Sequence, residues 1–136
     1  MTILIQTRQE FPRNAPVFIF GAGACGQTVR RAVDGEPGVT IAGFIDNHKS
    51  GAQDGLPIVG LDQFRDQAPP DAVIVIATAY HAQVYVQLHK HGLDEFYDAY
   101  PLYQAVAEAP TMRAIKIVAA AIGIGLLIGG AWAVWR

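Results

Sequence analysis

The run Ala72-Val73-Ile74-Val75-Ile76-Ala77 is unbroken in its apolar character and rich in β-branched side chains. A strand with one wet face alternates apolar and polar residues. A run without alternation needs cover on both faces, as at the centre of a parallel sheet. A second run, Val17-Phe18-Ile19-Phe20, follows Pro16 and stops at Gly21, and Val39 to Ile45 reads as a third strand that stops at Asp46. Helical periodicity fills the gaps: Ala24 to about Val33, Leu61 to about Ala68, and Tyr80 to His91, where Val84, Tyr85 and Leu88 recur at three- and four-residue spacing before Gly92. Asn47 to Gly55 reads as a loop, Leu56 to Gly60 as a short extended piece and Phe96 to Ala99 as a weak last strand. The order β-α-β-β-α-β-α-β predicts an α/β fold, a parallel sheet flanked by helices. Residues 1–15 stand apart as an N-terminal arm, in which Ile3-Leu4-Ile5 forms either a short strand or a loosely packed segment.

Gly21-Ala22-Gly23-Ala24-Cys25-Gly26 spells G-x-G-x-x-G. Alone the pattern is weak, but here it lies directly after a predicted strand and opens a predicted helix. In that setting the first glycine permits a tight turn. The second lets the backbone approach a pyrophosphate, and the third lets helix and strand pack closely. The helix N-terminus adds free N–H groups and a positive dipole end. Twenty residues past Gly26, at the end of the next predicted strand, stands Asp46, where an acid can bond a ribose hydroxyl pair. These residues together predict a Rossmann-like nucleotide-binding domain over residues 16–104, with NAD or a UDP-sugar favoured over NADP. His48 and Lys49 nevertheless lie close enough to leave a 2′-phosphate open. Thr78-Ala79-Tyr80-His81 follows the central strand and so falls at the carboxyl edge where open α/β sheets bind ligands. The candidate site is therefore Gly21, Ala22, Gly23, Cys25, Gly26, Asp46, Asn47, Thr78 and Tyr80.

The chain has 136 residues, 51% of them hydrophobic and 16% charged, and the excess is concentrated. From Ile117 to Val134 there is no charged residue and no Asn, Gln, Ser, Thr, Pro or His. Eighteen such residues span about 27 Å as a helix, close to a hydrocarbon core. Trp132 and Trp135 suit an interface, and Arg113, Lys116 and Arg136 flank the stretch. We read 105–113 as a linker and 114–136 as one C-terminal transmembrane helix. It would anchor a cytoplasmic domain to the inner membrane, with lipid as one partner. Ala121, Gly125, Gly129 and Ala133 repeat every fourth residue, a small face that suits packing against a second helix, in a homodimer or with another membrane or membrane-associated protein. Residues 1–110 hold seven basic against twelve acidic side chains, an excess of five negative charges, which disfavours nucleic acid. The lone Cys25 excludes an internal disulfide and fits a reducing compartment.

From Val17 to about Gln104 the chain resembles small Rossmann-like domains of bacterial polysaccharide biosynthesis. These are the N-terminal portion of membrane-bound nucleotide-sugar epimerase/dehydratases and the nucleotide-sugar-binding domain of sugar acyltransferases. The likeness rests on Phe20-Gly21-Ala22-Gly23 with Gly26, on Gly43-Phe44-Ile45-Asp46-Asn47, on Gly55-Leu56-Pro57-Ile58-Val59-Gly60 and on Asp71 to Ala77. The resemblance implies that Gly21, Gly23 and Gly26 lie at the phosphates and Asp46 at the ribose. Those relatives carry a catalytic domain after the module, where this chain has an apolar stretch.

No tyrosine here has a lysine four residues on, the pair that reductases and epimerases of this fold use. We therefore expect a binding module that is non-catalytic alone. The alternatives are a structural subunit of a membrane complex and an enzyme whose substrate half comes from another chain. Cys25 lies where a helix N-terminus can lower a thiol pKa, though a tolerated small residue is the simpler reading. His81, His89 and His91 have no partner evident in the sequence and read as solvated helix residues, so no metal is expected. Tyr97, Tyr100 and Tyr103 read as packing residues.

Overall fold

A computed structural model describes residues 1–108. The expected anchor helix, with its expected face of Ala121, Gly125, Gly129 and Ala133, and most of the expected linker lie outside the described residues. Among the described residues no helix is long and apolar enough to cross a membrane. Met1–Gln104 forms one compact unit.

Among the described residues seven strands build one sheet, in the order β1 (Thr2–Leu4), β7 (Phe96–Asp98), β6 (Val73–Ile76), β2 (Pro16–Phe20), β3 (Thr40–Ile45), β5 (Leu56–Val59) and β4 (Gly51–Gln53). The run that follows Pro16 is β2 (Pro16–Phe20), and the central run is β6 (Val73–Ile76). They pair in parallel, Ile19 beside Val75 and Phe20 beside Ile76. On the far side of β2 lie β3 (Thr40–Ile45) and then β5 (Leu56–Val59), and beyond β6 lies β7 (Phe96–Asp98), all parallel. From β2 the chain steps outward through β3 to β5. It then returns through α2 (Leu61–Gln67) to β6 on the other side of β2. The direction of winding thus reverses between β2 and β6.

Both faces of the sheet are covered, as the continuous apolar runs require. Phe18, Phe20, Ile45, Ile74 and Ile76 share one cluster with Leu61 and Phe64 of α2 and Val84 and Leu88 of α3 (His81–Lys90). Phe18 and Phe64 meet edge to face at 5.0 Å, an arrangement worth about 1 kcal/mol beyond the area it buries. Gly43 makes room for this pair, because a Cβ there would stand 3.0 Å from the Phe18 ring. Successive strand residues point to opposite faces. Val17, Ile19, Phe44 and Val75 are accordingly buried on the other side, where α1 (Ala24–Ala32) contributes Val29.

Two strands lie beyond the expected eight-element order. Residues 51–53, expected in a loop, form β4 (Gly51–Gln53), antiparallel to β5. The two-residue turn between them, Asp54-Gly55, has φ of 54° and 76°, the positive values that a tight hairpin turn needs. Residues 2–4 form β1 (Thr2–Leu4), parallel to β7 at the sheet edge. Ile5 and Phe11 are buried, so the first residues pack into the domain and are not a loose arm. Residues 100–108 are helical, including 105–108 of the expected linker, where Ala105-Val106-Ala107-Glu108 offers no helix breaker.

Candidate functional site

A cleft of about 710 Å³ opens at the carboxyl ends of β2, β3 and β6, where the winding reverses. That is the general ligand position in open α/β sheets. Its floor is the glycine loop, and the three glycines do different work. Gly21 has φ of 125°, and a Cβ on it would lie 2.4 Å from the Ala77 carbonyl oxygen. A Cβ on Gly26 would lie 1.7 Å from the Gly21 carbonyl oxygen, so the loop closes onto α1 only without a side chain there. Gly23 is unlike both. Its φ is −87°, open to any residue, and a Cβ would meet nothing within 4 Å. Protein packing makes no demand for glycine at this position, which lines the cleft. Gly23 is also the N-cap of α1, and no side chain caps the helix. The first N–H groups of a helix lack intrahelical partners, so they remain available to an anion.

Asp46 holds this loop in place. One carboxylate oxygen accepts the Ala22 N–H at 2.9 Å, and the other accepts the N–H groups of His48 and Lys49, both at 2.8 Å. Partial burial pushes the Asp46 carboxyl up, but these three donors and the nearby His48 outweigh it and hold the pKa below the usual carboxylate range. A carboxylate offers about four acceptor positions, so one remains on the oxygen facing Ala22. The turn after Asp46 also brings Lys49 back over the loop, its Nζ 3.3 Å from the Ala22 carbonyl oxygen. The cleft thereby gains a cation beside the open helix end.

The opposite wall comes from the β6–α3 connection. Thr78 and Tyr80 both line the cleft. Thr78 Oγ1 accepts the Tyr80 N–H at 3.2 Å, which shapes the turn, and Tyr80 is 70% exposed. Asn47 and Gln87 exchange two amide hydrogen bonds, at 2.9 and 2.8 Å, that link the end of β3 to α3 along the cleft.

Of the nine candidate residues, Gly21, Gly23, Cys25, Asp46, Asn47, Thr78 and Tyr80 line the cleft. Ala22 and Gly26 are buried and serve the loop itself. Cys25 is no activated thiol. Burial, and then the Asp98 charge, push it up to about 12, against the expected pull of the helix end. Two of the histidines have carboxylate partners that the sequence does not show. His81 Nδ1 lies 2.7 Å from Asp98, and His89 Nδ1 lies 2.7 Å from Asp94. The sequence hides the first pair because a strand and a helix fold 17 residues back on themselves to make it. An acid inside the strand Phe96-Tyr97-Asp98 was the available signal. Gln87 was missed as a cleft residue, since only the folded helix carries it there, and Lys49, expected near the ligand only as a partner for a 2′-phosphate, lines the cleft beside the glycine loop. Among the described residues no cluster of three or more His, Cys, Asp or Glu is placed to hold a metal. No protein-family model matches the chain, and no curated protein matches it.

Proposed function

We propose that this domain binds the diphosphate of a nucleotide, either NAD or a UDP-sugar, in the cleft between the glycine loop and the β6–α3 connection. The apolar stretch 117–134 would hold it at a membrane beside a polysaccharide-assembly enzyme. The observation that carries the reading is Gly23, a cleft-lining glycine whose φ and surroundings accept a side chain freely. Its bareness leaves space above an uncapped helix end, where diphosphate oxygens can meet backbone N–H groups and the Lys49 ammonium. With one acceptor position left on Asp46, a ribose hydroxyl can bond there without displacing the loop. No tyrosine–lysine pair accompanies the cleft, so the module binds and does not itself transfer hydride.

Calorimetry of the full chain with NAD, UDP-glucose and UDP, for the parent and for Gly23→Ala, tests the reading. Saturable binding that Gly23→Ala weakens tenfold or more supports it. No binding by the parent chain overturns it. A specific observation favours a second reading, a scaffold subunit that assembles through its membrane helix. Asp46 satisfies the loop with three backbone donors from within the protein, so the loop stands without a ligand. The same titration separates the two.

A further inference from the structure

Beyond the cleft, one buried acid has no role in holding the glycine loop. Asp98 ends β7 and is 0% exposed. A buried charge is costly unless several donors meet it. Three do. The Tyr100 N–H reaches one oxygen at 2.9 Å. The other oxygen takes the Tyr85 hydroxyl and, at 2.7 Å, His81 Nδ1. The hydrogen bond that one imidazole nitrogen makes decides where the proton sits. We therefore assign the Nδ1–H tautomer, which leaves Nε2 as a fixed acceptor. Tyr100 stacks on the ring at 4.8 Å, and Tyr85 meets it edge-on at 5.8 Å, so the imidazole plane is set from two sides. Among the described residues Nε2 makes no hydrogen bond, and it is not buried, so it opens to solvent. Packing explains a donor to Asp98. It does not require that the donor be a histidine with its second nitrogen left free.

The location gives that nitrogen a use. Asp98 stands beside Ile76 in the sheet, and Ile76 leads directly into the Ala77–Tyr80 wall of the cleft. Asp46 and Lys49 occupy the β3 side of the winding reversal, and His81 occupies the β6–β7 side. An extended ligand that crosses the reversal places its diphosphate at the centre and one half on each side. His81 does not itself line the cleft; it follows the lining residue Tyr80 on the β7 side, so the half beyond the diphosphate meets it by extending past that wall.

We propose that His81, oriented by Asp98, accepts a hydrogen bond from a hydroxyl of the ring that the ligand carries beyond its diphosphate. The site therefore selects a nucleotide sugar or a dinucleotide over a bare nucleoside diphosphate. This inference rests on the nucleotide reading above.

The test is calorimetry of the full chain with two matched pairs, UDP against UDP-glucose and ADP against NAD, for the parent and for His81→Asn. The asparagine amide can still donate to Asp98 in place of Nδ1 but has nothing in place of Nε2. His81→Ala repeats the test with that donor removed. The expected result is about tenfold tighter binding of one extended ligand over its diphosphate, the weight of one good hydrogen bond. His81→Asn should abolish that preference and leave the diphosphate affinity within about twofold. The pair that shows the preference tells sugar from dinucleotide. If the diphosphates bind with no preference for either extended ligand, the His81 inference fails and the nucleotide reading stands. Preference that survives both variants, or variants that weaken diphosphate and extended ligand alike, also overturns it. If the parent binds none of the four, both readings fall.

Discussion

The Asp46 carboxylate accepts the Ala22 N–H at 2.9 Å, so the end of β3 holds the glycine loop that follows β2. The contact joins two parallel neighbours at their carboxyl ends, where sheet hydrogen bonding stops and the backbone needs other partners. It gives Asp46 a structural duty in addition to any ligand contact. A carboxylate that accepts three backbone donors is oriented before a ligand arrives.

Removing that carboxylate should cost stability. Hydrogen bonds to a charged group contribute about 1.5–3 kcal/mol, so Asp46→Ala should lower unfolding free energy by about 2 kcal/mol in urea melts. The effect depends on pH. The folded-state pKa lies below the ordinary 3.8, so the contribution is present above that value and disappears as pH falls through the lowered one. The gap between parent and Asp46→Asn should therefore narrow below about pH 4. A gap that stays constant down to pH 2.5 would show that the charge is not what the loop uses.

Gly23 and Gly26 should separate cleanly on substitution. In Gly26→Ala the new methyl would lie 1.7 Å from the Gly21 carbonyl oxygen, backbone that cannot swing aside. Overpacking of this kind costs about 3 kcal/mol or more, read as a fall in thermal midpoint. In Gly23→Ala the methyl enters open space at an ordinary φ, so the cost should be only that of exchanging an N-cap glycine for alanine, about 1 kcal/mol or less. Nucleotide affinity should nonetheless fall. Equal stability loss in the two variants would remove the distinction drawn between them.

Much of this geometry was legible in the residues. Continuous apolar runs fixed β2 and β6 as two-sided strands, because no other setting covers both faces. The steric demand at Gly21 and Gly26 was readable, since it follows from a strand–turn–helix junction. The position of Asp46 was readable as a strand end, but its partners were not, because backbone N–H groups leave no signature in side-chain identity. The three-residue β4 escaped, and β1 stood only as one of two alternatives, for a related reason. Each exists by pairing with a neighbour, β7 or β5, and carries too few residues to show a period. Asp98 and His81 meet only because β7 lies beside β6, and strand order is not a local property.

Cys25 should resist alkylation in the folded protein. With its pKa raised to about 12 by burial and by the Asp98 charge, little thiolate exists at pH 8, and the thiolate is the reactive form. Iodoacetamide followed by mass spectrometry should modify Cys25 far more slowly in buffer than in urea, where an ordinary thiol titrates near 8.5. Comparable rates would mean that the thiol is neither buried nor facing that charge. The same charge makes the thiol a reporter on Asp98, so Asp98→Asn should bring the Cys25 pKa down.

Tyr85 tests the Asp98 cluster from its other side. Burial, then its hydrogen bond to Asp98 and the Asp98 charge, push the phenol well above the ordinary tyrosine value of 10.0. The folded pKa is raised, so the contribution is fully present below pH 10 and is lost as pH climbs toward the folded value. Absorbance titration at alkaline pH should show one tyrosine that ionises later than the rest, and Tyr85→Phe should remove it. The same variant leaves the buried carboxylate with one donor fewer and should cost about 1.5–3 kcal/mol in urea melts. Because the hydroxyl and His81 Nδ1 share one oxygen, its loss also frees the imidazole to shift, and any ligand preference carried by Nε2 should weaken with it. Full stability in Tyr85→Phe together with an unchanged alkaline titration would show that the hydroxyl does not meet Asp98.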